Sequence, residues 1–397
     1  MSRSASDLAL VVAGAGIGGL AAALCLARAG KRVALLEKAP KIEEVGAGLQ
    51  IAPNAGRILE GLGLSSALDR AALFPETIVI RRAADGRELA RIALAGARER
   101  FGAPFRLFHR ADLQNLLLEA AQASETIAIR ADARVGDFEE EEEKVFLRVH
   151  GAAGPDDMEA SGLVGADGAR SSVRAFLIRD ERDAPFYSGN MAWRALLPAE
   201  AVPTVLRENA VNLWLGRRAH VVHYPLRGGE IVNAVLIVED GDVEPPMTEP
   251  TRDGAILLEA ADFEDCARPL RELVSSCDAW RRWPLWGRPA LRSWSRGAVT
   301  LLGDAAHPMV PFLAQGAAQA IEDAEALGRA FADGAPPSMA FARYEKARIA
   351  RATKVQTASR RQGQLAHAGF PLAPARDAVM SLIGGRGMLE RNAWLYR

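Results

Sequence analysis

The sequence predicts an α/β fold in which a parallel sheet of βαβ units carries an inserted antiparallel sheet. Three observations predict it. A glycine-rich turn, Gly14 to Gly19, stands between an apolar strand pattern and a helical one. Two more apolar runs, Leu163-Val164 and Leu301-Leu302, end in the tight turns Asp167-Gly168 and Gly303-Asp304. From about Pro185, short alternating segments separated by Gly-containing turns replace the strand–helix pattern.

The elements follow in order. Leu8 to Val12 reads as a short buried strand, Leu20 to Ala29 as a helix ending at Gly30, and Arg32 to Leu36 as a second buried strand. This order opens a parallel sheet. Ala111 to Ala123 is a helix that Asp112 helps to start, and Phe138 to Val149 is a hairpin. The acidic run Glu139 to Glu143 is most simply its solvated turn. Val211 to Leu215, Ala219 to Tyr224 and Ile231 to Val238 are strands of the inserted sheet. The Pro-rich segment Glu244 to Pro250 leads to a helical region and a Trp/Pro-rich passage, Trp280 to Trp294. A buried strand returns at Ala298, followed by helices from about Gly316 to Ala330 and Ser338 to Gln364. Arg343, Lys346, Arg348, Arg351 and Lys354 on the last helix read as a solvated face.

The bulk numbers narrow the class. Lys plus Arg, 49, nearly balance Asp plus Glu, 50, so no strong field draws nucleic acid or anionic lipid. A 49% hydrophobic, 25% charged chain of 397 residues can bury a full core. Cys25, Cys266 and Cys277 have neither CxxC spacing nor metal-like neighbours, so they read as buried apolar fillers in a reducing, cytoplasmic setting, and no metal is expected. Leu8 to Ala27 is uncharged for 20 positions, about the length of a membrane span. Glycines 14, 16, 18 and 19 break that run into short halves, which argues against an anchor or a signal peptide.

The first chemical motif is Gly14-Ala15-Gly16-Ile17-Gly18-Gly19. Gly14 suits the turn, Gly16 lets a pyrophosphate approach the backbone, and Gly19 allows close helix–strand packing. The helix N-terminus offers free N–H groups to phosphates. Glu37 ends the second strand, placed to accept hydrogen bonds from ribose hydroxyls. The set is a Rossmann-like dinucleotide signature, but by itself it does not separate FAD from NAD.

Leu163-Val164-Gly165-Ala166-Asp167-Gly168-Ala169-Arg170-Ser171-Ser172-Val173-Arg174 and Leu301-Leu302-Gly303-Asp304-Ala305-Ala306-His307-Pro308 complete a three-motif order. In that order and spacing, over nearly the whole chain, the sequence resembles the group A flavoprotein aromatic hydroxylases. Glu44-Val45-Gly46-Ala47-Gly48-Leu49-Gln50 with Pro53-Asn54-Ala55 is similar to the salicylate, 3-hydroxybenzoate and 6-hydroxynicotinate hydroxylase branch. The resemblance implies a para-hydroxybenzoate hydroxylase-like fold: a Rossmann-like FAD-binding domain (1–75, 104–180 and 290–365), a substrate-binding sheet domain (76–103 and 181–289) and a C-terminal helical tail (366–397). It implies non-covalent FAD held through Gly14, Ala15, Gly16, Gly19, Glu37, Lys38, Gln50, Arg110, Val135, Asp167, Asp304, Gly316 and Ala317. Asp304 takes the ribityl chain, Arg110 comes from His109-Arg110-Ala111-Asp112-Leu113, and the amides of the helix beginning at Gly316 face the flavin's pyrimidine edge.

On a strand, residues two apart share a face, so His220, Val222 and Tyr224 point one way and His223 the other. The resemblance assigns His220 and Tyr224 to the substrate. His220 is the best candidate for the base because an imidazole pKa can lie near the operating pH, with Tyr224 as its relay. His307 is expected to approach the ring where the branch's substrate-holding glutamine is replaced. One position departs from the branch. Where the hydroxybenzoate enzymes carry a glutamine that holds the substrate, this chain has Pro311, which points to a hydroxylated or amino-substituted heteroaromatic acid.

The implied activity is monooxygenation of an electron-rich ring by way of a flavin hydroperoxide. NADH or NADPH serves as a transient co-substrate, O2 as oxidant, and a monomer or homodimer as the acting species. Two rivals stay open: a flavin-dependent reductase or dehydrogenase on the same scaffold, and a binding protein that has kept the fold. Substrate-coupled oxygen consumption separates the first from a hydroxylase, and a flavin-free purified protein identifies the second.

Overall fold

The structure, a computed structural model, describes residues 8–43, 47–141, 144–241, 257, 261, 263, 265–277 and 279–397. The loop residues Glu44-Val45-Gly46, the acidic turn residues Glu142 and Glu143, and the Pro-rich segment Glu244 to Pro250 lie outside them.

Leu10–Ala13, Val33–Leu36 and Gly162–Gly165 are buried at every residue, the pattern of parallel strands covered on both faces. With Val299–Leu301 and Ile127–Arg130 they form the parallel sheet, and Ser295–Arg296 pairs antiparallel at one edge. The uncharged run near the start of the chain is thus the strand Leu10–Ala13 plus the helix Ile17–Arg28. That helix lies against Gly316–Ala330 so closely that a Cβ on Gly328 would stand 2.8 Å from the Cys25 carbonyl oxygen. All three cysteines are buried and free, as fillers should be.

The second sheet has seven strands in the order Arg281–Gly287, Phe186–Pro198, Ile231–Glu239, Ala219–Leu226, Ala210–Leu215, Thr77–Arg82, Glu88–Ala93. It is antiparallel except for one pair, Ala210–Leu215 with Thr77–Arg82, which runs parallel. The Trp/Pro-rich passage supplies its edge strand, Arg281–Gly287, where Pro284 is tolerated because an edge strand has one unpaired side. The expected hairpin near Phe138 is larger: Arg134–Glu141, Lys144–Gly151 and Gly154–Ala160 form a three-stranded sheet.

The C-terminal third is helical. Gly316–Ala330 begins and ends where the sequence pattern placed it, Pro337–Ala366 runs for 30 residues, and Leu372–Tyr396 turns at Gly384, whose φ is +63°. Among the described residues, no helix is long and apolar enough to cross a membrane.

Candidate active site

The glycine-rich turn joins the strand Leu10–Ala13 to the helix Ile17–Arg28. Gly14 has φ +106°, and a Cβ there would stand 2.5 Å from the Ala166 carbonyl oxygen. Only glycine allows this approach between the turn and the neighbouring strand end. Gly16, by contrast, opens onto free space, and no side chain caps the helix that follows it. The first turn therefore offers bare amides and a positive dipole end. Glu37 braces the turn, accepting hydrogen bonds from the Ala15 amide at 2.8 Å and the Ala39 amide at 3.0 Å.

Below this turn a cavity of about 320 Å3 opens between the two main sheets. Its parallel-sheet side is made by Gly16, Gln50, Arg110, Asp304, Gly316 and Ala317, six of the expected cofactor residues. Its opposite wall is the inserted sheet, where His220, Val222 and Tyr224 line the cavity. The period-two reading of this strand holds, because His223 turns to the other face and accepts a hydrogen bond from Trp214 Nε1 at 3.0 Å. Across the strands, Val222 pairs with Val235, and Val235 with Arg194, so one transverse row carries the wall.

The branch loop reaches that wall through Gly48. Its amide donates to Asn233 Oδ1 at 2.7 Å, and a Cβ would come within 2.6 Å of both Asn233 and the Tyr224 hydroxyl. This contact brings Gln50 to hydrogen-bond Tyr224. Burial raises the Tyr224 phenol well above its ordinary value, against the pull of Arg194 and Gln50.

Asp304 faces into the cavity and is exposed to it, yet protein surrounds that space. Desolvation raises its carboxyl pKa, opposed by His307 and Arg110. The turn that carries it is held from behind: Asp323 Oδ2 accepts from the Gly303 amide at 3.0 Å and meets His307 Nε2 at 2.6 Å. His307 thus lies behind the turn, its ring 5.1 Å from that of Trp294 and outside the cavity lining. The expectation that it approaches a ring substrate is corrected: the buried Asp323 carboxylate, itself held by Arg348 Nε at 2.7 Å, takes its imidazole.

The rest of the expected set lies around the cavity rather than in its lining. Gly14 and Ala15 make the turn, Gly19 stands in the first turn of the helix after it, Glu37 braces it, and Lys38 is exposed just past Glu37. Asp167 caps the helix Ser172–Ile178, its Oδ2 accepting from the Ser172 amide at 2.7 Å, while Val135 accepts from the Ser172 hydroxyl at 3.2 Å. Asp167 Oδ1 is buried without a partner among the described residues.

His220 is also more enclosed than its expected role assumed. Burial and the neighbouring His367 hold its pKa well below the ordinary value, so it rests neutral. A pKa near neutrality, the sequence argument for it as base, does not survive burial. What sequence reading missed is the rest of this wall: Arg194, Val235 and Ile237 in the lining, Asn233 opposite Tyr224, and His367 against the His220 Nδ1 at 2.7 Å. Alternation could have found Asn233, a polar residue amid the apolar run Ile231 to Val238.

The comparisons with known proteins agree with this geometry. Residues 7–359 match the FAD binding domain family. The chain is 38% identical over 389 residues to 3-hydroxybenzoate 6-hydroxylase 1 of Aquipseudomonas alcaligenes, covering 98% of this chain and 97% of that protein. The chain belongs to the FAD-dependent aromatic hydroxylases. Another member of this family, a 3-amino-4-hydroxybenzoate 2-monooxygenase of Streptomyces platensis, is 37% identical over 393 residues, 98% of this chain and 95% of its own. A salicylate hydroxylase in its substrate complex superposes with a TM-score of 0.82 at 26% identity, over 99% of this chain and 96% of that one. For an aromatic hydroxylase the cradle suits FAD: the open Gly16, the uncapped amides and the orphaned Asp167 oxygen are where a cofactor's polar groups can be met.

Proposed function

We propose that this enzyme uses NADH or NADPH and O2 to hydroxylate an electron-rich aromatic or heteroaromatic acid in the cavity between the two sheets. The observation that supports this best is the shared cavity itself: Gly16, Asp304 and the N-terminus of Gly316–Ala330 on one side, His220, Tyr224 and Arg194 on the other. When bound, FAD supplies the redox chemistry, taking a hydride from the nicotinamide and activating O2 to pass one oxygen atom to the ring.

The chain's residues do the rest. In this reading the glycine-rich turn, with Ala15, Gly19, Glu37 and Lys38, holds the adenine-nucleotide end. Asp304, Arg110, Gln50, Gly316 and Ala317 hold the flavin end, with Val135 and Asp167 beside it. The amides of Gly316 and Ala317 favour negative charge at the helix N-terminus. Arg194, the cation on the inserted-sheet wall, faces the carboxylate of the acid. His220 takes the proton from the ring hydroxyl, and Tyr224, fixed by Gln50, orients that hydroxyl. The apolar lining from Val222, Val235, Ile237, Met309 and Pro311 excludes water from the reacting centre.

A panel of hydroxylated and amino-substituted benzoates and pyridine carboxylates, scored by stimulated NAD(P)H oxidation, tests this. The reading predicts stimulation by ring acids with an activating hydroxyl or amine. Stimulation by none of them, or equally by saturated acids, contradicts it.

A further inference from the structure

Beside the active-site cavity lies a second, open cleft of about 390 Å3, lined among others by Arg218, Glu239, Phe312, Arg360 and His367. The two spaces are separated by a short chain of side chains. His220 lines the inner cavity, its Nδ1 stands 2.7 Å from His367 Nε2, and His367 Nδ1 stands 3.0 Å from Glu239 Oε1. His220 and His367 are buried, whereas the Glu239 side chain is 40% exposed. Phe312 packs against both imidazoles, at 5.5 and 5.6 Å between ring centres.

The carboxylate sets the direction of every bond in this chain. An ionised carboxylate can only accept, so His367 must carry its proton on Nδ1 and present a lone pair at Nε2. That lone pair requires an N–H at His220 Nδ1. His220 Nε2 is then bare, and with Nδ1 engaged it is the nitrogen left for the inner cavity. A terminal carboxylate fixing an imidazole tautomer is the logic that makes histidine a base elsewhere.

We propose that Glu239, His367 and His220 form a proton relay that carries the ring-hydroxyl proton of the substrate from the active-site cavity to the solvent of the second cleft. The proposal rests on the function assigned above. In the step, the substrate O–H bond breaks and its proton joins His220 Nε2. The Nδ1 proton of His220 passes to His367 Nε2, and the Nδ1 proton of His367 passes to Glu239 and then to water. The substrate is left as the phenolate, activated for attack, and one proton appears in solution. Neither imidazole stores the charge: burial lowers both pKa values, helped at His220 by His367, while at His367 Glu239 pulls up and Arg376 pushes down. His367 and Glu239 are positioning residues, because neither lines the inner cavity.

Two measurements on the FAD-loaded enzyme test this. The chain has six histidines, few enough for 15N NMR of the histidine-labelled protein to be assigned with single variants. At neutral pH, His220 and His367 should both be neutral with the proton on Nδ1. A protonated imidazolium, or an Nε2–H tautomer at either residue, overturns the proposal without any substrate being needed. The second measurement is stopped-flow proton release into an indicator dye when 3-hydroxybenzoate binds. His367→Ala and Glu239→Gln should each slow the release by about tenfold or more, with FAD content unchanged, and added imidazole should restore the rate in His367→Ala. Release at the wild-type rate in both variants overturns the relay. If instead the wild type responds neither to 3-hydroxybenzoate nor to any ring acid of the panel, the assigned function fails, and the tautomers still judge the relay.

Discussion

At the scale of single residues, two carboxylates at the Gly303-Asp304 turn have opposite environments and opposite consequences. Asp304 faces the cavity, where desolvation raises its pKa. A ligand hydroxyl donating to it relieves part of that cost, so Asp304→Ala should release flavin. The check is the ratio of flavin to protein absorbance after gel filtration, which should fall well below that of the wild type. An unchanged ratio contradicts the place given to Asp304. Asp323 is fully buried, and burial alone would push its carboxyl up. His307 and Arg348 outweigh that and hold it at about 2. The sign follows: a folded-state pKa below the unfolded value gives stability that is present above about pH 4 and lost as pH falls toward 2. Asp323→Asn should therefore cost about 3 kcal/mol near neutral pH, as breaking a buried pair does. The gap to wild type should close on acidification, read as denaturation midpoints at pH 7 and pH 3.

At the scale of elements, the strand Ala219–Leu226 divides its two inner histidines between two faces. His220 belongs to the cavity wall and His223 to the opposite face, where it accepts the buried Trp214 indole N–H. His223→Leu should cost about 1–3 kcal/mol by orphaning that donor, with ring-acid turnover retained. His220→Ala should slow hydroxylation by roughly 10²-fold while FAD content stays normal. Steady-state rates of the two variants check this, and the reverse pattern would place the pocket on the other face. The strand's register was legible because alternation alone decides it. The helix Gly316–Ala330 was legible for a related reason: a glycine after a turn and a run rich in Ala, Glu, Gln and Leu leave little choice. The edge strand Arg281–Gly287 was not, because Pro284 and three-residue spacing between Trp283 and Trp286 hide its alternation.

At the scale of the whole molecule, the parallel sheet and its glycine turn could be read because their signals are local: a buried run, a turn, a helix, an acid. The cavity could be read only in halves. Gly16 and Asp304 announce themselves by motif, whereas Arg194, Asn233 and His367 enter the site's surroundings through pairings far apart in sequence, such as Gly48 with Asn233. His307 shows the limit most clearly. Its motif placed it beside the cavity, but Asp323, from a helix that follows it, turns its ring away. The account's central claim is that the two walls together make a monooxygenase site. It is tested most directly by incubating the FAD-loaded enzyme with NAD(P)H, the most stimulating ring acid and 18O2, and weighing the product. The account predicts a hydroxylated ring carrying one 18O atom. NAD(P)H oxidation that yields only hydrogen peroxide, or a product oxygen drawn from water, would contradict it.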